Sequence, residues 1–318
     1  MPRIAEQEVI PATLCSCPSC MKKAGYPNIR YPMTNAFSKV GGHYGTRKWE
    51  ARGRGPLYLG MELELSNAGA SAWRHACRYL DRGTLAEVKP DGGMMELTSH
   101  PMSPAYFMTH YPWRMLSELR DRNVIAEPNR GGIHVHVNKT AFDGAIHMYN
   151  WMRFFYANPR EMTALGGRTS RTHFSVIPPS AEMMRLAEEV ASQTELHRAR
   201  HWAMTHAVSR EGRLVYRPTD RAKIRAAEAR IVLAPYAHHY GEAAAMNVRR
   251  HPDTFEVRFP GAAIEPSVVK SRLQLVAAAA EYTRGLTDHG DGALRFPLFA
   301  GWIPAHRYPE LSAAVTGL

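Results

Sequence analysis

The 318 residues carry 45% apolar side chains, enough for a substantial core in one large domain or two modest ones. Forty Lys and Arg against 29 Asp and Glu leave a formal charge of +11, a field that attracts nucleotides, acidic metabolites or nucleic acid without choosing among them. No run of about 18 apolar residues occurs, and Met1–Glu8 has no apolar segment behind a basic one, so neither membrane spanning nor secretion is expected. Four cysteines, three of them packed into Cys15–Cys20, are a poor basis for a disulfide-stapled fold and fit a reducing, cytoplasmic setting.

Residues 1–55 are rich in Pro, Gly, Cys and basic side chains without sustained periodicity and read as an irregular appendage. Residues 56–290 alternate strand and helix patterns, and 291–318 form an extension expected to pack on that domain. A strand over Leu57–Leu65 leads through Asn67 into a helix ending near Gly83, and a second strand covers Met94–Ser99. Ser103–Asn123 is helical, broken or kinked at Pro112, which lacks the amide proton a helix interior needs. Gly132–Asn138 alternates cleanly as a strand, after which Asp143 is placed to cap a helix running towards Tyr156 that Pro159 ends. Pro178-Pro179-Ser180 introduces a long helix towards Trp202, and Thr219–Arg230 reads as a shorter basic helix with a solvated face. Strands at Ala244–Arg249 and Thr254–Phe259 precede a helix beginning at Pro266, whose Val269, Leu273, Val276 and Ala280 follow a helical stripe that Gly285 terminates. No internal repeat is evident, and the sum is an α+β domain with an antiparallel or mixed sheet.

Three of these strands carry an ionisable face. Side chains two apart on a strand share a side, so Glu62 and Glu64 face away from Met61, Leu63 and Leu65. Likewise His134, His136 and Asn138 oppose Ile133, Val135 and Val137, and Glu256 and Arg258 oppose Phe255, Val257 and Phe259. One such strand is accounted for by a wet outer face. Two imidazoles on one face are also a common way to present nitrogen to a metal. Three such strands, with Glu96 as a possible fourth contributor, crowd carboxylates that repel one another unless cations neutralise them. Carboxylates with a minority of imidazole favour Mg²⁺ or Mn²⁺ over structural zinc.

The ordered series Gly60-Met61-Glu62-Leu63-Glu64, the acidic strand with Glu96, Gly132-Ile133-His134-Val135-His136-Val137 and Glu256-Val257-Arg258-Phe259-Pro260 resembles the amidoligases of the glutamine synthetase and glutamate-cysteine ligase superfamily. Shorter pieces add to the likeness: Asp91-Gly92-Gly93 before Glu96-Leu97-Thr98-Ser99, Gly167-Arg168, and Met246-Asn247-Val248-Arg249. The similarity runs from about Leu57 to Gly285, and Asp91-Gly92-Gly93-Met94 has Gly where the family often has Ser.

The resemblance implies a glutamine synthetase-like catalytic domain, a curved sheet with helices on its outer face, and ATP-dependent joining of a carboxylate to an amine. By motif, Glu62, Glu64, Glu96, His134 and Glu256 would hold two or three Mg²⁺ or Mn²⁺ ions around the ATP phosphates. Arg258 would lie near the transferring phosphoryl group and His136 would face nucleotide phosphate or substrate, with Arg168, Asn247 and Arg249 as further neighbours. The implied reaction phosphorylates a carboxylate to an acyl phosphate, which an amine attacks to give an amide or isopeptide, ADP and phosphate. The expected partners are small-molecule or peptide carboxylates and amines.

Cys15, Cys17 and Cys20, with His43 or Cys77, are candidates for zinc, but the spacing differs from the paired Cys-x₂-Cys hooks of zinc ribbons, and free thiols in a flexible arm remain the other reading. A metal-dependent hydrolase using His134 and His136 leaves the Glu62–Glu64 and Glu256–Arg258 pairs as coincidences. A basic nucleic-acid binder with a small zinc element meets a dispersed charge and no aromatic-plus-basic recognition strand.

Overall fold

Alternating aliphatic and polar residues make each central strand two-faced, and in a computed structural model these strands pair into one antiparallel sheet. The structure describes residues 51–79, 85–168, 246–247, 253–286 and 292–318, with the isolated positions Arg185, Glu189 and Arg225. The strands are β1 (Leu59–Leu65), β2 (Leu85–Asp91), β3 (Met94–Ser99), β4 (Ile133–Asn138), β5 (Met246–Asn247) and β6 (Thr254–Val257). They lie in the order β2-β3-β1-β4-β6-β5, which puts β1 and β4 in the middle of a six-stranded sheet.

The helices are α1 (Ala70–Cys77), α2 (Pro104–His110), α3 (Trp113–Arg120), α4 (Ala145–Ala157), α5 (Pro159–Gly166), α6 (Pro266–Arg284), α7 (Phe296–Trp302) and α8 (Pro309–Thr316). The described fold is therefore α+β.

Leu59, Met61, Leu63 and Leu65 of β1 are fully buried, as are Val135 and Val137 of β4 beside them. The 19-residue α6 runs along this apolar side, contacting β4, α2, α3, α4, α7 and α8. Its Ala277–Ala280 run is buried, so small side chains lie where its neighbours come near. Burying apolar surface is worth about 25 cal/mol per Å², which makes this layer the main source of stability. The C-terminal helices are fastened to it by polar bonds: the Leu311 amide donates to Gln274 Oε1 at 2.9 Å, and the Phe296 amide to Asn158 Oδ1 at 2.9 Å.

Several elements depart from the expectations. β2 was not anticipated; it forms a hairpin with β3 in which Gly92 (φ +53°) and Gly93 (φ +80°) make the two-residue turn that only positive φ permits. Asp143 is not the cap of α4. Gly144 holds that position, while the Asp143 amide donates to Nδ1 of His147 at 3.2 Å. Pro159 opens α5, its fixed φ and missing amide proton being harmless at a first helical position. α1 ends at Cys77 with Arg78 as its C-cap. Pro112 does divide the 103–123 segment into α2 and α3, and Gly285 does close α6.

Arg52, in the stretch read as an appendage, exchanges backbone hydrogen bonds with Pro101 and Ser103. The Cys15–Cys20 cluster, all of the 178–202 helix but Arg185 and Glu189, all of Thr219–Arg230 but Arg225, and most of the 244–249 strand lie outside the described residues. Among the described residues no helix is long and apolar enough to cross a membrane, and Cys77 is half-buried at the end of α1.

Candidate metal centre

Directly paired residues of antiparallel strands share a face, so register decides which side chains meet. Glu62 of β1 stands opposite Thr98 on β3 and His134 on β4, and Glu64 stands opposite Glu96. His136 pairs with Glu256 on β6, and Lys89 on β2 pairs with Glu96. One sheet face thus collects carboxylates and imidazoles from β2, β3, β1, β4 and β6, with the aliphatic side chains on the other.

Two groups of ligand atoms lie on this face, each with its members within 4.8 Å of one another: Glu62, His134 and Glu256, and beside it Glu64, Asp91 and Glu96. His134 Nδ1 is 3.4 Å from Glu62 Oε2 and 3.4 Å from Glu256 Oε1. His136 Nε2 is 3.4 Å from Glu62 Oε1, and its Nδ1 meets Thr254 Oγ1 at 3.3 Å. The Gly132 amide donates to Glu64 Oε2 at 2.7 Å. A Cβ on Gly132 would come within 3.0 Å of Arg168 Nη2 and 3.1 Å of His134 Nε2, so the absence of a side chain there is what lets the site close around Glu64. Thr98 Oγ1 donates to Glu96 Oε1 at 3.0 Å, and Lys89 Nζ reaches the same oxygen at 2.9 Å.

The electrostatics follow from burial set against neighbours. Burial disfavours the charge on Glu62, but His136, His134 and Lys89 outweigh it and hold its carboxyl well below the ordinary range. His134 is raised: burial opposes its charged form, and the hydrogen bond to Glu62 with the charges of Glu64 and Glu256 overcomes it. Glu64 is raised by burial, with Asp91 and Glu62 adding to it against His134 and the Gly132 amide. Glu96 is pushed up to about 8 by burial and by the Glu62 charge, against the Lys89 ion pair. Lys89 stays above the ordinary lysine range because Glu96, Glu62 and Glu87 outweigh its burial.

Burial first and the Glu62 charge second raise Glu96 in spite of Lys89, and a divalent cation beside these carboxylates would offset both. Oxygen donors with one imidazole, enclosed and underneutralised, fit Mg²⁺ or Mn²⁺.

Glu62, Glu64, Glu96, His134 and Glu256 are therefore together on one face. Arg258 adjoins them, its Nε 3.4 Å from Glu256 Oε1. Arg168 lies at the same edge and spends its guanidinium on main chain: Nε donates to Phe259 O at 2.9 Å, and Nη2 reaches Pro260 O and Arg258 O. Burial pushes Arg168 down to about 10, Glu64 opposing and Arg258 adding. It clamps the segment that carries Arg258. His136 is 1% exposed, with Nε2 3.4 Å from Glu62 Oε1. Asn247 lies opposite Glu256 in the β5–β6 register, and Arg249 lies outside the described residues.

Lys89, Asp91 and Thr98 belong to this face and were not among the candidates. The signal was the Gly92-Gly93 turn, which pairs Asp91 with Met94 and so fixes Lys89 opposite Glu96. Comparison of the chain with protein-family models, with curated proteins and with solved structures returned no match.

Proposed function

We propose that this face binds the triphosphate of ATP through Mg²⁺ or Mn²⁺, and that the protein is an ATP-dependent carboxylate-amine ligase with a glutamine synthetase-like catalytic domain. The observation that carries the reading is the pair of adjoining ligand groups, Glu62/His134/Glu256 and Glu64/Asp91/Glu96, on one sheet face, largely buried with Asp91 exposed at its rim and Arg258 at its edge. A single catalytic metal needs one such group. A polyphosphate chain spanning several ions uses more than one.

Glu62, His134 and Glu256 would hold one ion, and Glu64, Glu96 and Asp91 another; bound there, the ions would offset negative charge on the phosphates. The remaining work falls to the chain's own groups. His136 orients Glu62, the Gly132 amide orients Glu64, and Thr98 with Lys89 orients Glu96. Arg258 offers a planar guanidinium that can meet two phosphoryl oxygens, while Arg168 fixes its main chain. Glu96, His134 and Glu256 are buried, an enclosure that would limit the access of water to an acyl phosphate held there. The hydrolase alternative would take both imidazoles with a glutamate at one metal; the group whose atoms lie within 4.8 Å of one another contains His134 and not His136.

The test incubates the protein with ATP, Mg²⁺ and paired pools of carboxylates and amines: amino acids, dicarboxylates, peptides and polyamines. ADP and phosphate should form only when a competent pair is present, and added hydroxylamine should trap the activated carboxylate as a hydroxamate. Turnover of a substrate without nucleotide, or absence of Mg²⁺-dependent ATP binding, would count against the ligase.

A further inference from the structure

β2 carries a bulge: Leu85 pairs with Ser99 and Glu87 with Thr98, so one extra residue, Ala86, sits between the pairs. Side chains two apart on a regular strand share a face, and the bulge breaks that rule. Leu85 packs into the core, whereas Glu87 is turned to the ionisable face with Lys89. Thr98 also pairs with Glu62, and Glu62 with His134, so Glu87, Thr98, Glu62 and His134 form one row across four strands. With strands about 4.8 Å apart, Glu87 springs from the sheet roughly 10 Å from Glu62, and it belongs to neither ligand group. Glu87 is 2% exposed, and its buried Oε2 has no hydrogen-bond partner among the described residues. Burial raises its proton affinity, with Lys89 opposing and Glu62 adding. A buried carboxylate oxygen is destabilising until something donates to it.

We propose that Glu87 binds an ammonium group of a substrate, at a point on the face removed from the reacting atoms, and so determines which substrates the site accepts. That the ligand is a substrate of a ligase rests on the reading given above. A divalent ion is a poor match, because it needs several ligands and no two other carboxylate or imidazole groups among the described residues lie with Glu87 within 4.8 Å. A guanidinium fork takes both oxygens of a carboxylate, and the one buried oxygen without a partner is Oε2. An ammonium is a compact donor that a single oxygen suits, and its charge meets a corner where Glu96, Glu62 and Glu87 all act on one lysine, Lys89. Its separation from the chemistry follows from the sheet order: β2, which carries Glu87, and β6, which leads into Arg258, lie on opposite sides of β1. Two sources share this chemistry, the α-ammonium of an amino acid whose carboxylate is activated and the second ammonium of a diamine acceptor.

The experiment compares substrates that differ by one ammonium group, in wild type and in Glu87→Gln. Glutamate and glutarate form one pair, assayed as hydroxamates with hydroxylamine, an acceptor uncharged at neutral pH. Cadaverine and pentylamine form the other, assayed by ADP release. In wild type the ammonium-bearing member of one pair should have a KM at least about tenfold below that of its counterpart, the scale of one hydrogen bond to a charged group, and Glu87→Gln should remove that preference. The pair that responds identifies the source of the ammonium. Glu87→Asp keeps the charge and should retain part of the preference, and Glu87→Ala serves if the glutamine variant does not fold. A preference that survives the loss of the carboxylate would overturn the proposal, as would an equal loss on both members of each pair, which is what a merely structural Glu87 predicts. If no pair turns over, the ligase reading fails instead. Calorimetric titration of the same compounds, with Mg²⁺ and a non-hydrolysable ATP analogue present, then decides Glu87 by itself: equal binding of both members by wild type overturns it.

Discussion

His134 Nδ1 stands 3.4 Å from Glu62 Oε2, its direct partner in the β1–β4 register, and is equally far from Glu256 Oε1 on the next strand. One imidazole therefore links carboxylates of β1 and β6 that no backbone bond joins, since β4 lies between those strands. Without metal the bond depends on the raised proton affinity of His134. With metal, the same nitrogen and the same oxygens are free to turn to the ion.

Metal should consequently stabilise the fold. Ion at about a hundred times its dissociation constant adds about 2.7 kcal/mol, which for a domain of this size raises the melting temperature by several degrees, and chelator should reverse it. His134→Ala and Glu62→Gln should each remove most of that rise while leaving a folded protein. Differential scanning calorimetry with Mn²⁺ and with chelator reads it directly, and a metal-induced shift that survives both substitutions would place the ion elsewhere.

His147 should make stability pH-dependent. Its ring accepts from the Asp143 amide on Nδ1 at 3.2 Å and donates from Nε2 to Ala280 O at 2.7 Å, which occupies both nitrogens of the neutral form. Burial lowers its proton affinity, Arg284 and Arg225 adding, against the Ala280 carbonyl and Asp143. Because the folded value lies below the unfolded one, the unfolded chain binds more protons between them. The contribution of His147 is then complete above about pH 6.5 and is lost as pH falls through the lowered value. Melting temperatures between pH 8 and pH 5 should fall more steeply for wild type than for His147→Gln; parallel curves would show that His147 is not responsible.

The strands that build the site were legible because one period of two served both purposes: in β1 and β4 the same alternation that buries Leu63 and Val135 exposes Glu62 and His134 to the shared face. What alternation alone cannot supply is register, and register is what puts Glu64 opposite Glu96 and His136 opposite Glu256. β2 was missed because Pro90 interrupts its pattern. At the end of that strand, next to a two-residue turn, the missing amide proton does no harm. Asp143 is not the cap because the cap falls one residue later, at Gly144, and the Asp143 carboxylate lies 3.3 Å from Arg284 Nε, a contact that only tertiary structure creates. Pro159 does follow the end of α4 at Ala157, as expected; what was missed is that the geometry that stops one helix is suited to start the next, α5.

Asn158 should be a stability residue without bearing on the site. It is buried at the α4–α5 junction, its Nδ2 donating to Phe154 O at 2.7 Å and Leu294 O at 2.8 Å, while Oδ1 accepts from the Phe296 amide. Asn158→Ala leaves one amide and two carbonyls without these partners, at a cost of about 1–3 kcal/mol for each group left wholly unsatisfied. Urea unfolding should show a loss of about 3 kcal/mol, with the Mn²⁺-induced stabilisation unchanged. A reduced metal effect with normal stability would contradict the separation of the C-terminal packing from the site.

Arg258 provides the test that separates chemistry from scaffolding. Its Nε lies 3.4 Å from Glu256 Oε1, so a structural salt bridge and a phosphoryl contact are both within its reach, while Arg168 Nη2 holds its carbonyl. Arg258→Lys keeps a positive charge beside Glu256 but loses the planar fork that meets two oxygens at once. If the guanidinium acts on the transferring phosphoryl group, turnover should fall by about a hundredfold or more, the scale of losing one transition-state charge stabiliser, with ATP affinity much less affected. If it serves only Glu256, the lysine should lower the melting temperature and spare turnover, because a buried charge pair is weakened without any change in what the substrate meets. ADP release, ATP affinity and thermal stability measured on one preparation distinguish the two. The geometry favours the first outcome, since the Arg258 main chain is already fixed by Arg168 and the fold does not depend on the Glu256 contact to place it.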